Sequence, residues 1–312
     1  DLLAPELIHA AYGPDAEKPI FGRTLGAQAG AEGDHVPARQ GDVFVAAAPY
    51  TKIPWIEAIL GCPIRVSLRS HSFWAEAFVS AEQLSTFAVR PDERWTNKLM
   101  EFTRYLVANA RGRYLVAHTL MRGVSDMLVA MLGDALFCQA LYDTPDVVHR
   151  LADQCADLFI QVARAQLALI PPFHGGWCNL FGIWAPGRSV RSQDDATALL
   201  SPQLYERFIL PYQRRIADAF DYSTIHLHSA CLHVAPLVCD SNFSAVQVSV
   251  DPVPFGPPMA DLIPVLARMA QQKPLLVEGP MTEAELDEAL RVLPGSGLFV
   301  GASIEAAHER PV

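Results

Sequence analysis

The feature that most constrains this chain is a series of eight short apolar runs separated by segments with helical periodicity. Most of the runs are continuously apolar, which is typical of parallel strands covered on both faces. In chain order they are Val43–Ala48, Ile64–Leu68, Tyr114–Leu120, Gly176–Ile183, Thr224–Ser229, Ala245–Val250, Pro274–Glu278 and Leu298–Gly301. Eight βα units suggest closure, so the sequence predicts an α/β fold, a (β/α)8 TIM barrel.

The predicted barrel occupies residues 41–312, and residues 1–40 are expected to form an N-terminal arm laid over it. The first 40 residues contain scattered glycine and proline and little periodicity. The chain has 312 residues, of which 51% are apolar. It can therefore bury a large core without disulfides, and a single barrel domain is the expected organisation.

Several helices of the predicted barrel carry their own start signals. Thr144–Asp146 offers an N-cap, a proline at the first helical position and an acid in the first turn. Ser201–Pro202 opens another helix, with a kink predicted at Pro211. Thr282–Glu285 has the pattern of a capping box.

Charge and composition exclude several classes of partner. The formal net charge of −10 opposes binding to nucleic acid or to an anionic membrane, because such binding depends on cations that neutralise phosphate. No apolar run reaches the roughly 18 residues of a membrane helix, and no secretory signal pattern is visible. None of the six cysteines forms a CxxC pair. We therefore expect a cytoplasmic protein that acts on a small molecule, and the apolar composition is compatible with a homodimer.

Two histidines stand at the end of the fifth run, where a barrel places its active site. Side chains alternate along a strand, so His226 and His228 point to the same side. Paired imidazoles can bind a metal, hold an anion or transfer protons. We take His228 as a catalytic candidate and His226, His228, Cys231 and Glu278 as candidate metal ligands. The alternative is that one of the two histidines is structural.

Acids and arginines follow other strands. Asp194 and Asp195 are adjacent in the polar segment after the fourth run and are candidates for a base and its orienting group, while Tyr50 follows the first run as a further catalytic candidate. The candidate substrate-binding residues are Arg69, Arg122, Gln193, Trp177 and Asp251. Arginine suits this role because guanidinium binds carboxylate or phosphate in a bidentate manner. Solvated acids, a surface salt bridge and a core tryptophan are the structural alternatives.

Several common catalytic motifs are missing from the sequence. It contains no GxGxxG, GxxxxGK[ST], GxSxG or HExxH pattern. The sequence therefore gives no motif that would indicate dinucleotide binding, nucleoside triphosphate binding, serine hydrolysis or zincin-type proteolysis.

A set of short motifs follows the predicted strands in a fixed order. The motifs are Arg122–Gly123, Tyr142–Pro145, Gln193–Asp195, Leu200–Tyr205, Leu210–Tyr212 and His226–Ser229. With them, the chain from about Pro49 onward resembles the uroporphyrinogen decarboxylase superfamily, which includes the cobalamin-linked methyltransferases.

The resemblance implies a (β/α)8 barrel with a deep mouth. It implies one of two reactions, decarboxylation of a tetrapyrrole's acetate arms or zinc-assisted methyl transfer between a corrinoid and a thiol. The methyltransferases hold zinc with a His-x-Cys pair and a later cysteine; His228 matches the histidine, but Ala230 and Gly301–Ser303 supply neither cysteine. The arginine-rich segment with which the decarboxylases grip carboxylates has no counterpart in residues 1–60.

The leading hypothesis is a methyltransferase-like enzyme that moves a methyl group between a small substrate or thiol and a corrinoid. Zinc is the expected metal, and a separate corrinoid protein is the expected partner. The second hypothesis is a decarboxylase of a tetrapyrrole or small carboxylated molecule, in which cationic residues at the mouth would stabilise developing charge. The third is a barrel without catalysis that binds a corrinoid or a partner protein.

Overall fold

A computed structural model describes residues 43–49, 54–67 and 72–304. Tyr50, Arg69 and the arm predicted for residues 1–40 lie outside these ranges. The division of the chain into arm and barrel therefore stays a prediction.

The described residues form a mixed α/β fold of short strands and longer helices. Its strands are β1 Ala46–Ala47, β2 Ile64–Ser67, β3 Ser72–Ala75, β4 Leu115–Val116, β5 Trp177–Cys178, β6 Trp184–Ala185, β7 Ser189–Gln193, β8 Tyr222–His228, β9 Ala245–Ser249, β10 Leu275–Met281 and β11 Leu298–Ile304. Its α-helices are α1 Trp55–Ile59, α2 Glu93–Ala110, α3 Val124–Leu132, α4 Asp134–Asp143, α5 Pro145–Leu169, α6 Pro202–Phe208, α7 Leu210–Asp218, α8 Ala235–Cys239, α9 Met259–Ala270 and α10 Glu283–Val292. Two 3-10 helices, Asp195–Leu199 and Ser229–Val234, follow β7 and β8.

The main sheet is parallel and contains five strands in the order β11-β10-β9-β8-β7. A second parallel pair joins β1 to β4. The α/β class is thus confirmed, with helices between successive parallel strands. Among the described residues, however, the hydrogen-bonded strands do not close into a ring.

Two of the eight predicted parallel strands are wrong. The run that begins at Ile64 forms β2, which pairs antiparallel with β3. Only four residues separate β2 from β3, too few for the crossover that parallel neighbours require. The run Gly176–Ile183 yields only β5, which pairs antiparallel with β6. The strand that precedes β8 in the sheet is instead β7, which lies in the polar segment after the fourth run.

The predicted helix starts at Pro145, Pro202 and Glu283 are confirmed. The kink predicted at Pro211 is a break at Ile209 between α6 and α7. Proline lacks an N–H group and its ring opposes the carbonyl one turn earlier, so a single helix cannot run through it unbroken.

The core lies between the main sheet and its helices. The middle of β8 is continuously buried, as expected for a parallel strand covered on both faces. Within the described ranges, no single helix is long and apolar enough to cross a membrane; α3 and α4 taken together pass that test by length and composition, across a bend of 106°.

Candidate functional site

Three polar side chains converge at the carboxyl ends of β7 and β8. His226 and His228 occupy alternate positions of β8, and their ring centroids lie 5.0 Å apart. Asp195 begins the 3-10 helix that follows β7. Its Oδ1 atom lies 3.7 Å from His226 Nε2 and 3.5 Å from His228 Nε2. One potential ligand atom from each residue therefore reaches a common point, with all three atoms within 4.8 Å of one another.

The donor set of these three residues fits a divalent cation. Asp195 Oδ1 is buried and has no hydrogen-bond partner among the described residues. Zinc bonds of about 2.0–2.1 Å in tetrahedral geometry place neighbouring ligand atoms roughly 3.4 Å apart, close to the two separations found here. Two imidazoles and one carboxylate are also the type of set that leaves a fourth position open in catalytic zinc sites.

A second carboxylate orients His228. Its Nδ1 atom lies 2.6 Å from Oδ1 of Asp251. Asp251 Oδ2 also accepts a hydrogen bond of 2.9 Å from the hydroxyl of Ser229. The hydrogen bond with Asp251 raises the pKa of His228 against the opposing effect of burial. With its proton on Nδ1, the ring directs the Nε2 lone pair toward Asp195, as in the carboxylate–histidine pairs that support metal ligands.

His226 is held in its neutral form. Burial, together with the positive charges of Arg191 and His228, lowers the pKa of His226 well below its usual value. A neutral imidazole keeps a lone pair for a metal ion, whereas an imidazolium has none to offer.

Asp194 faces away from the three converging residues and into the protein. Its Oδ1 accepts hydrogen bonds from the backbone N–H and the hydroxyl of Ser125, at 3.2 and 2.8 Å. Its Oδ2 accepts one from Tyr205 at 3.2 Å. The residue is fully buried, which raises the pKa of its carboxyl to about 6. The sequence offers Asp194 as a candidate base or orienting group, and that role stays a prediction; in this geometry Asp194 also anchors the turn that carries Asp195.

A reciprocal contact runs from α3 back to the same turn. Oδ2 of Asp126 accepts from the Asp195 backbone N–H at 3.1 Å, and Oδ1 accepts from the Ala196 N–H at 2.6 Å. Asp126 thereby caps the 3-10 helix, while the first turn of α3 binds Asp194. We refer to these contacts of Ser125 and Asp126 with residues 194–196 as the α3 clasp. It fixes the backbone from which Asp195 projects.

A polar network lies inside the main sheet below the three converging residues. Arg191 is buried in β7 and donates to Gln193 and Gln247. Burial lowers the pKa of Arg191 to about 10, so the guanidinium is still protonated at neutral pH. Glu278 joins the network through Gln247 and is not one of the three converging residues. Cys231 also lies outside the group, and burial raises the pKa of its thiol to about 11.

Arg122 stands at the edge of the site. Its Nη1 atom donates to Oε1 of the buried Glu57 at 3.1 Å, while 43% of its side chain is exposed. Burial raises the pKa of Glu57, against the effect of Arg122. The negative charges of Glu57, Asp126 and Asp195 raise the pKa of Arg122 despite its burial. An anchored and partly exposed guanidinium can contact an anionic group of a substrate.

Trp177 lies in the β5–β6 hairpin. Its indole N–H donates to the backbone oxygen of Ile170, and the guanidinium of Arg188 lies 5.9 Å from its ring. Neither partner belongs to the three converging residues.

Several residues that shape the site escaped prediction from the sequence. They are Glu57, Ser125, Asp126, Arg191 and Gln247. A buried strand with the sequence Ser-Val-Arg-Ser-Gln carries no apolar pattern, so Arg191 gave no strand signal. An acid in the first turn of α3 is also consistent with an ordinary helix start, so nothing in the sequence marks Asp126 as a residue of the site.

No protein-family model and no curated protein matches the sequence. The fold is similar to that of a solved structure, a methyltransferase from Methanosarcina mazei, with a TM-score of 0.58 and 14% sequence identity. The match covers 85% of this chain and 76% of that chain. At this identity the likeness shows the fold alone, so the chemistry has to be argued from the residues of this chain.

Proposed function

We propose that this chain is a metal-dependent, methyltransferase-like enzyme whose cation is held by Asp195, His226 and His228. The observation that carries the proposal is the position of Asp195 Oδ1, which is buried, lies 3.5 and 3.7 Å from two imidazole nitrogens, and has no hydrogen-bond partner among the described residues. The fold shared with a methyltransferase supports methyl transfer among the reactions that such a centre can serve.

When bound, zinc would lower the pKa of a thiol so that it reacts as the thiolate, the stronger nucleophile. The chain's own residues prepare that site. Asp251 holds the Nδ1 proton of His228, so Nε2 is the ring atom that would bind the metal in place of a proton, and burial keeps His226 neutral. Arg122 would contact an anionic part of the substrate beside Asp195; its guanidinium is partly exposed and close enough to Asp195 for the charges to interact.

The proposal includes a corrinoid as the other methyl carrier, delivered by a partner protein, and membership of the uroporphyrinogen decarboxylase superfamily. It also includes a cytoplasmic location and a closed (β/α)8 barrel in which the two parallel sheets are arcs of one cylinder. Support for the barrel comes from the hydrogen bond of 2.9 Å that the Arg191 backbone N–H donates to His118 Nε2, which links β7 to the segment after β4.

The metal content of the purified, untagged protein tests the proposal. We expect close to one equivalent of zinc in the wild type and little in Asp195→Ala, His226→Ala or His228→Ala. His233→Gln is the matched control, because this histidine bonds the Leu200 backbone oxygen instead. Mixing the zinc protein with methylcobalamin and a panel of small thiols should change the cobalamin absorbance. A wild type without bound metal, even after zinc is supplied, contradicts the proposal.

Metal-independent decarboxylation is the second candidate. Arg122 and Arg191 both lie close enough to Asp195 for the charges to interact. Two cations in a shielded site could stabilise the negative charge that develops as carbon dioxide leaves. Carbon dioxide release by metal-free protein, lost in Arg122→Met and not in His226→Ala, would favour this function over methyl transfer.

A further inference from the structure

Arg191 is a fully buried cation that makes two hydrogen bonds to glutamine side chains. Its Nε atom donates to Gln247 Oε1 at 2.6 Å, and its Nη1 atom donates to Gln193 Oε1 at 3.0 Å. Guanidinium carries five donors and no acceptor. Each glutamine must therefore turn its amide oxygen toward Arg191 and its NH2 group away. The orientation of both amides is fixed by the chemistry of one residue.

The NH2 group of each glutamine donates a hydrogen bond to a different acid. Gln193 Nε2 donates to Asp195 Oδ2 at 2.5 Å, whereas Gln247 Nε2 donates to Glu278 Oε2 at 2.8 Å. On Asp195, one oxygen is thereby occupied and the other, Oδ1, is left facing both histidines. The network thus selects which carboxylate oxygen reaches the centre of the site.

We infer that Arg191 and Gln193 are positioning residues that hold Asp195 as a ligand through a single oxygen, with Gln193 relaying the orientation imposed by Arg191. This inference rests on the proposed metal site. Without the relay, both oxygens of Asp195 are free to turn toward the cation, and the open position that a substrate needs is lost. On the other side of Arg191, Gln247 donates to Glu278, an acid that is not among the three ligands.

Arginine is required here because one side chain must hold two amides at once. The planar guanidinium presents Nε and Nη1 in a fixed arrangement, whereas the ammonium of lysine is a single point donor on a flexible stem. Arg191→Lys keeps the charge and removes this arrangement. The effect of this substitution on zinc affinity therefore reports the hydrogen-bond geometry of Arg191 separately from its positive charge.

The test is zinc affinity, measured by competition with a chromophoric chelator on metal-depleted protein. We expect Gln193→Leu and Arg191→Lys each to weaken zinc binding by about 10- to 100-fold, the usual effect of removing a group that orients a metal ligand. Gln166→Leu is the matched control. Gln166 is also buried and also makes two hydrogen bonds, to Thr119 and Thr103, away from the site. Its loss should lower thermal stability and leave zinc affinity within about threefold.

Cobalt substitution gives a second readout that a general loss of stability does not imitate. Four-coordinate Co²⁺ absorbs visible light far more strongly than five- or six-coordinate Co²⁺, so release of the second Asp195 oxygen should weaken the absorption bands in both site variants. A wild type that binds zinc, together with site variants that match it in affinity and spectrum, overturns the relay and leaves the metal site standing. A wild type with no zinc affinity overturns both. If the site variants fail to fold, Gln193→Met replaces them, and we expect the same loss of zinc affinity of about 10- to 100-fold.

Discussion

The two parallel sheets of this protein differ in regularity and in what they contribute to the site. The C-terminal strands β7–β11 have five to seven residues each, whereas β1 and β4 have two residues each. All three converging residues come from the C-terminal sheet or the turn that follows it. The N-terminal part supplies supporting contacts instead, through Glu57, Arg122 and the α3 clasp.

The difference teaches that the three converging residues and the contacts that support the turn carrying Asp195 come from separate parts of the chain. We call the boundary between them the seam, and define it by three sets of contacts. The first set is the α3 clasp. The second is the hydrogen bond from the Arg191 backbone N–H to His118 Nε2, and the third is the hydrogen bond of 2.5 Å from the Gly123 backbone N–H to the Gln193 backbone oxygen. If this division is right, changes at the seam should disturb both stability and the site, and changes away from both the seam and the site should disturb only stability.

The largest effect is expected from Asp194→Ala. The substitution leaves the buried donors of Ser125 and Tyr205 without their acceptor. Each of these three unsatisfied buried donors costs about 1–3 kcal/mol, so the free energy of unfolding should fall by roughly 3–9 kcal/mol. Urea denaturation of metal-depleted protein measures this. Asp194→Asn keeps one acceptor and should lose less; a stability equal to that of the wild type would contradict the anchoring role.

The next effect depends on pH and concerns His118. Burial lowers the pKa of this histidine from 6.5 to about 4, and its Nε2 atom accepts the Arg191 N–H. Below pH 6.5 the unfolded chain binds a proton at His118 that the folded protein does not bind. The contribution of His118 to the free energy of unfolding is therefore fully present above pH 6.5 and is lost as the pH falls toward 4. The full loss is about 3 kcal/mol.

His118→Gln tests this pH dependence because an amide oxygen can accept the same N–H without titrating. Urea denaturation at pH 7 and at pH 4.5 should show a smaller acid loss in the variant than in the wild type. Equal losses in the two proteins would mean that His118 does not resist protonation in the fold.

The outcome of the sequence predictions follows the same division. The strands beginning near Thr224, Ala245, Pro274 and Leu298 are confirmed; each follows a helical segment, and the first three contain runs of buried residues. Apolar periodicity does not reveal β7, because four of its five side chains are polar although all five residues are buried. Hydrogen bonding to Gln193 and Gln247 makes that burial of Arg191 tolerable, and such pairing is visible only in three dimensions.

For the site, alternation along a strand is a local rule, so it places His226 and His228 on one side from the sequence alone. The choice between Asp194 and Asp195 is different. It depends on the turn after β7 and on α3, about 70 residues earlier in the chain. Adjacent residues of the same type cannot be told apart without that long-range contact.

A smaller effect on stability is expected from Asp126→Ala, which removes the cap from the 3-10 helix that carries Asp195. Loss of a cap costs about 1 kcal/mol. Because the turn also carries a proposed ligand, zinc affinity should fall by several-fold in the same variant. A stability loss with unchanged zinc affinity would show that the α3 clasp supports the fold and not the site.

The smallest effect is expected from Thr282→Ala at the start of α10, away from the seam. Thr282 accepts the Glu285 N–H at 3.2 Å and the Glu285 carboxylate accepts the Thr282 N–H at 2.9 Å, a complete capping box. Its loss should cost up to about 1 kcal/mol. Since α10 carries none of the three converging residues, zinc affinity should match that of the wild type. Thr282→Ala and Asp126→Ala thus remove the same kind of contact, and only the second lies at the seam. An equal loss of zinc affinity in both would mean that general destabilisation, and not the seam, sets the geometry of Asp195.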